Sequence, residues 1–415
     1  MLIDTEAGVH VTPQEAAGRR RLLAHPVLLL VGIVLASVNM RAALASVSPL
    51  VGEISESFGL SSTATSLVTS VPVLFLGVGA LVAPWLGRRF GVERMLLCAL
   101  LLLAVGIVVR VLPSAAALYG GGVLVGTAIA LLNVLMPGLI KRDFPDKAAA
   151  MTSVYTGAMI AGATVVAAAS VPLEKAFGGS WEASLAFWSL LAVVAAVAWL
   201  PQVLIVRGRK GVAAPAAAGG RSGVSGRSIW RSPLAWQVTL FMGLQSLWSY
   251  VLIAWMPTIL TDGGMSRSTA GVVFAFNNLI QVAGAFGVPL LAGRMRGQRP
   301  LVALVTSMVA AGYVGLMAAP VSGAWLWAAV LGVGQGGAVG LALTMIVLRS
   351  GDAVTAARLS GMAQTVGYLL AAAGPLAAGA VYQATGNWTV PISLVLCVCA
   401  AALAVGLLAA RDRTV

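Results

Sequence analysis

Long apolar runs separated by short polar breaks fill the chain. A helix needs about 20 mostly apolar residues to cross the hydrocarbon core of a bilayer, and twelve stretches reach that length, near 27-50, 62-86, 94-112, 117-140, 148-172, 183-206, 234-259, 268-292, 300-319, 323-348, 358-383 and 388-410. The pattern predicts an all-α membrane protein of twelve transmembrane helices.

Composition agrees with the pattern. Of the 415 residues, 59% are hydrophobic and 9% charged, whereas soluble globular chains hold roughly a quarter charged residues. A water-facing surface cannot be made from that. The first 26 residues carry Asp4, Glu6 and Glu15 ahead of Arg19, Arg20 and Arg21, which is not the pattern of a cleavable secretory signal, so residues 1-26 read as a cytoplasmic tail.

The net charge of +13 would suit a nucleic-acid binder, but the basic residues sit where a membrane protein puts them. Lys and Arg accumulate in short cytoplasmic loops. With both termini inside, 22 of the 26 basic residues face the cytoplasm, leaving Arg110, Lys175 and Arg267 outside and Arg41 within a helix. The expected setting is a bacterial-type inner membrane, with lipid and a small solute as partners, no nucleic acid, and a monomer. Cys98, Cys397 and Cys399 lie inside apolar stretches, where a lone thiol behaves as a small hydrophobe; no disulfide framework, metal spacing or cofactor is expected.

The polar interruption 207-233, rich in Gly, Ala, Ser and Arg, has the composition of a flexible linker. It parts a bundle over 27-206 from one over 234-410, with a tail at 411-415. The halves resemble each other. GLSSTATS (59-66) returns as GMSRSTAG (264-271) and APWLGRRFGVER (83-94) as VPLLAGRMRGQR (288-299), both 205 residues on, and GGSW (178-181) as TGNW (385-388), 207 on. Each copy of the first pair follows a helix expected to end in a proline, Pro49 or Pro257, and its serine, Ser61 or Ser266, can cap the next helix. Six helices per half restore the same sidedness, so the copies are expected to be parallel repeats about an axis along the membrane normal.

The basic hairpin LGRRFGVER resembles the loop motif of the major facilitator superfamily. NMRAALASVSPL (39-50), NVLMPGLIKRDFP (133-145), LQSLWSYVLIAWMPTILTDGGMS (244-266) and SGMAQTVGYLLAAAGPLAAG (360-379) resemble its cyanate permease and nitroimidazole transporter branch. The likeness spans the chain and implies an alternating-access carrier. It has one departure: the family's loop usually holds an aspartate where this chain has Arg88, followed by Arg89. Asp143, Asp146 or Asp352 is the expected substitute partner for Arg88, Arg89 or Arg294 at the inner gate, the other reading being solvated loop charges.

Arg41 is the sharpest single residue. An arginine near a helix centre costs ~2.5–3.5 kcal/mol on insertion scales, and at 1.5 Å per residue it lies roughly 21 Å from the cytoplasmic edge. Ser37, Arg41 and Ser48 share a helical face, and Asn39 points away by about 200°. No acid lies in mid-helix to pair with Arg41, so a cavity-facing role is expected, and the resemblance makes this arginine a candidate substrate contact. Asn133, Tyr155, Gln245, Trp248, Ser249, Asn277, Asn278, Gln281, Gln364 and Tyr368 lie at similar depth, each either a ligand contact or interhelical glue. Gln245 with Ser249, Asn277 with Gln281 and Gln364 with Tyr368 stack at i, i+4.

Glycine clusters at 120-126 and 332-340 lack the strand and lysine of phosphate loops and read as packing or hinge sites; Pro137, Pro257 and Pro375 mark kinks or helix ends. The missing embedded carboxylate removes the usual proton relay. His10 and His25 lie in or at the tail, and Glu53 and Glu56 read as exposed loop acids. A cavity with one positive charge suits a small anion, or a polar heteroaromatic that stacks on Trp248 or Tyr368. Without a His, Cys, Asp or Glu constellation no enzyme is expected. A broad drug exporter, though the fifth stretch lacks the Gly-Pro signature of drug antiporters, and a carrier-like sensor are the other readings.

Overall fold

In hydrocarbon no water satisfies the main chain, so a spanning segment must close its own hydrogen bonds as a helix. The computed structural model describes residues 26–60, 62–211 and 229–415. Among them, twelve helices are long and apolar enough to cross a membrane: α1 Pro26–Ala45, α2 Ser62–Phe90, α3 Val92–Arg110, α4 Ala115–Asp143, α5 Ala148–Ala176, α6 Trp181–Gly211, α7 Pro233–Asp262, α8 Arg267–Arg294, α9 Arg299–Ala318, α10 Ala324–Leu348, α11 Ala353–Thr385 and α12 Thr389–Ala409. A short helix, Val51–Phe58, follows α1.

Several boundaries differ from the sequence-based expectation. The first apolar stretch stops being α-helical at Ala45 and turns through a 3-10 segment, Ser48–Leu50, around Pro49, which has no backbone donor to continue an α ladder. Pro137, Pro257 and Pro375 all lie inside helices rather than at ends, and α7 continues to Asp262. Of the linker expected over 207-233, residues 207–211 prolong α6 and Ile229–Arg231 forms a 3-10 turn; 212–228, like the tail residues 1–25 and Ser61, lie outside the described residues.

The repeat is visible in the packing. Helix α2 packs on α4 as α8 packs on α10, α1 on α5 as α7 on α11, and α3 on α4 and α6 as α9 on α10 and α12. Matching residues do matching work. Trp181 donates its indole N–H to Ser57 at 2.9 Å, and Trp388 donates its own to Asp262 at 2.8 Å, so the GGSW and TGNW tryptophans pin corresponding ends of α6 and α12. Gly59 and Gly264 hold φ of 59° and 101°, left-handed values that disfavour a side chain. Ser266 caps α8, accepting from the Thr269 N–H at 3.2 Å.

Burial follows the same plan. The most apolar windows of α4 and α10 are 83% and 89% buried, so these helices line the interior, while Val105, Leu190, Leu304 and Leu394 on α3, α6, α9 and α12 stand about half exposed, as a lipid-facing belt requires. The three cysteines are free thiols, two exposed and Cys399 buried.

Contacts between the halves, made by α5 with α8 and α10 and by α11 with α2 and α4, gather toward the end that carries Arg88, Arg89 and Arg294. There a Cβ on Gly138 would lie 3.0 Å from the Ala353 carbonyl oxygen, and one on Gly361 would lie 2.9 Å from Pro84 Cγ. Main chains approach that closely only because those positions are glycine. The four cross-half hydrogen bonds among the described residues, from Ser153 to Phe286 O, Ser360 and Gln364 to Asn133 O, and Thr365 to Gly77 O, run from mid-bundle toward this basic end.

Candidate functional site

Midway along the bundle the halves enclose a cavity, and seven of the expected site residues line it: Arg41 from α1, Asn133 from α4, Gln245 and Ser249 from α7, Gln281 from α8, and Gln364 and Tyr368 from α11. Arg41 is the one charged residue in the wall. Among the described residues no carboxylate lies within ion-pair distance of it. Its volume, about 40 Å³ of space for water centres, holds about three waters at roughly 10–15 Å³ each.

Below Arg41, a polar hub closes the cavity floor. Tyr155 donates its hydroxyl to Asn133 Oδ1 at 2.9 Å, while Gln364 Nε2 crosses from the other half to the Asn133 carbonyl at 2.9 Å and bonds Ser360 at 2.8 Å. Tyr155 is thus an interhelical bridge, 1% exposed, and does not line the cavity. Asn277 is likewise fully buried and donates to the Ala328 carbonyl at 2.8 Å; Asn278 donates to Phe274 O at 3.0 Å. Both act through Gln281.

Trp248 departs most from expectation. It is fully buried, its carbonyl accepts from Tyr313, and it contributes nothing to the cavity wall. The α7 residues that face the cavity, Met242, Gln245, Ser246, Ser249, Tyr250 and Ile253, fall on one stripe, and at 100° per residue Trp248 sits about 130° from its middle. The aromatic surfaces offered to a ligand are Tyr250 and Tyr368. The expected Ser37 stripe also fails: Ser37 is buried and turned back on its own helix, bonding Ile33 O, and Ser48 lies in the 3-10 turn beyond α1. Asn39 points away as expected, bonding Leu191 O of α6 at 3.2 Å.

Gln335 was hidden in the α10 glycine cluster read as packing. It lines the cavity beside Gly336, where a Cβ would collide with the Gln281 main chain; the glycine brings α10 and α8 close enough for Gln281 to reach Gln335. Arg110, expected at the outer edge, is 3% exposed and donates to Ala43 O at 3.1 Å, tying α3 to the end of α1 near Arg41. Glu53 and Glu56 are exposed on the short helix, and no cluster of His, Cys, Asp or Glu among the described residues could hold a metal.

The gate pairing expected for Arg88, Arg89 and Arg294 is not the one formed. Asp143 binds Arg142 at 2.7 Å, Asp352 caps α11 by accepting from Thr355 N at 2.8 Å, and Arg89 lies over the Trp85 ring at 5.3 Å. Ion pairs among the described residues join neighbours within one half, whereas the halves meet by glycine-mediated close packing, which needs no desolvated charge.

A midplane cavity shared by two repeats of six helices is a carrier's architecture, and the Major Facilitator Superfamily model matches residues 29–375. The chain belongs to that superfamily. It is 41% identical over 391 residues to the 2-nitroimidazole transporter of Escherichia coli (strain K12), covering 94% of this chain and 97% of the other. The cyanate transport protein CynX of the same organism is 31% identical over 361 residues, 87% and 91% of the two chains. Among solved structures, the proton:xylose symporter XylE, bound to 6-bromo-6-deoxy-D-glucose, superposes with a TM-score of 0.72 over 94% of this chain and 97% of that one, at 15% identity, which speaks to fold alone.

Proposed function

We propose that this superfamily member carries a small anion or small polar heteroaromatic, nitroimidazole-like or cyanate-like, by alternating access, with Arg41 as the anchor. One observation carries the reading: a single cation without a counter-carboxylate stands in a midplane cavity that both halves build. The relatives' substrates fit such a site, since each offers acceptor atoms to a guanidinium.

The basic end is the cytoplasmic end, by the loop-charge rule, and the described residues start and finish there, at Pro26 and Val415. Contacts between the halves gather at that end, so the state described here is closed inward, and turnover requires the Asn133 to Gln364 hub to part. Carrying a monovalent anion inward against an inside-negative potential costs about 2.3 kcal/mol per 100 mV, so uptake of an anion needs a coupled cation, while export or a neutral substrate does not.

The test is a thermal-shift screen of wild type beside Arg41→Ala against cyanate, other small anions, carboxylates and nitroimidazoles. Ligand at 100 times its dissociation constant stabilises the fold by about 2.7 kcal/mol if it binds only the native state. A shift present in wild type and absent in a folded Arg41→Ala protein supports the anchor; equal shifts in both overturn it. Counterflow in proteoliposomes then separates a carrier, which exchanges ligand, from a sensor, which only binds it.

A further inference from the structure

Two residues of the cavity wall each carry a buried atom whose bonding capacity the protein leaves unused. Gln245 Oε1 and Gln335 Nε2 are buried without a hydrogen-bond partner, on residues 1% and 2% exposed, and both residues line the Arg41 cavity. Main-chain carbonyls, which can only accept, dictate which amide atom is which.

On α7, the Ser246 hydroxyl lies 2.8 Å from the Met242 carbonyl and must donate to it. It therefore accepts from Gln245 at 2.8 Å, so Gln245 turns Nε2 toward Ser246 and leaves Oε1 bare. On α8, Asn277 and Asn278 donate to Ala328 O and Phe274 O, which turns their own oxygens toward Gln281 at 3.2 and 3.3 Å. Gln281 must present Nε2 to them, and the same nitrogen shares its two hydrogens with a third acceptor, Gln335 Oε1, at 3.3 Å. Gln335 is left with a bare Nε2. The wall thus holds an unused acceptor on α7, an unused donor on α10 and the donor-only guanidinium of Arg41.

We infer that the ligand is a small planar molecule that both donates and accepts, with acceptor atoms toward Arg41 and Gln335 Nε2 and an N–H or O–H toward Gln245 Oε1. The inference rests on the cavity being the transport site proposed above. An azole N–H bearing a nitro group, or a phenol bearing a carboxylate, carries both the acceptor atoms and the donor that these three groups call for. Cyanate, which only accepts, leaves Gln245 Oε1 bare and faces its lone pairs. Sites built to bond a ligand O–H or N–H discriminate strongly against analogues that lack it, because the protein group then stays buried and unpaired.

The experiment measures binding of 2-nitroimidazole, its N1-methyl derivative and sodium cyanate to the full-length protein by titration calorimetry, at a pH where the azole keeps its proton. In wild type, N-methylation is expected to weaken binding by roughly tenfold or more, cyanate to bind more weakly than 2-nitroimidazole, and 2-nitroimidazole affinity to fall as pH rises through the azole's own pKa. In Gln245→Met the methyl penalty disappears. A penalty that persists there is steric and overturns the inference, as does equal wild-type affinity for the N–H and N-methyl probes; in both cases the carrier reading survives. Binding of none of the three probes overturns both. If Gln245→Met does not fold, the wild-type comparison and its pH profile decide alone.

Discussion

At the basic end each half carries one arginine at the C-terminal end of its innermost helix, Arg142 in the last turn of α4 and Arg349 just after α10, 207 residues apart, and the two are held in opposite ways. Arg142 is 43% exposed in its side chain and pairs with Glu93 at 2.6 Å and Asp143 at 2.7 Å. In the second half, 205 residues after Glu93, the acid is replaced by Gln298. Arg349 is 2% exposed and donates to Gln298 Oε1, to Ala409 O at 3.0 Å and to Ala410 O at 3.2 Å, with Asp412 at 3.8 Å. Its own carbonyl accepts from Val415 N at 2.7 Å. Burial lowers the Arg349 pKa, and Asp412 acts against that. The comparison teaches that a repeated cation can keep its place while its partner changes from side-chain charge to main-chain carbonyls. In the second half the change draws the C-terminal residues 409–415, expected as a tail from 411, into the fold.

Arg349→Met breaks the comparison most severely. It strips the Gln298, Ala409 and Ala410 oxygens of a charged donor in a buried setting and is expected to cost about 3 kcal/mol or more, read as a large fall in the unfolding temperature in detergent. Glu93→Gln makes the first half imitate the second without supplying the carbonyls. Because Arg142 is 43% exposed and keeps Asp143, although Glu93 itself is only 10% exposed in its side chain, the loss is expected at roughly 1 kcal/mol. Asp412→Asn is the smallest change: the carboxylate is 78% exposed and 3.8 Å away, so less than ~0.5 kcal/mol is expected. A loss from Asp412→Asn as large as that from Arg349→Met would mean that charge, not carbonyls, holds Arg349.

Spans, repeats and the place of Arg41 in the cavity wall were legible because each rests on a local or periodic signal: twenty apolar residues, a fixed offset, a cation with no acid at its depth. The misplaced residues had no such signal. Trp248 was placed at the cavity by its chemistry, although the phase of Gln245, Ser249 and Tyr250 along α7 already excluded it. Gln335 was obscured because a glycine-rich run is ambiguous until the neighbouring helix is known, and the gate pairing was assumed from charges whose reach depends on helix-end geometry.

The sequence alone determined a twelve-span carrier of two parallel repeats, because burying apolar length in lipid leaves a chain few other choices. Tertiary structure alone decided which polar residues are glue and which are left over. Tyr155 and Asn277 are spent on neighbouring helices, whereas Gln245 Oε1 and Gln335 Nε2 are not. A side chain's remaining hydrogen-bonding capacity depends on every group that reaches it, and those groups come from helices as far apart in sequence as α4 and α11.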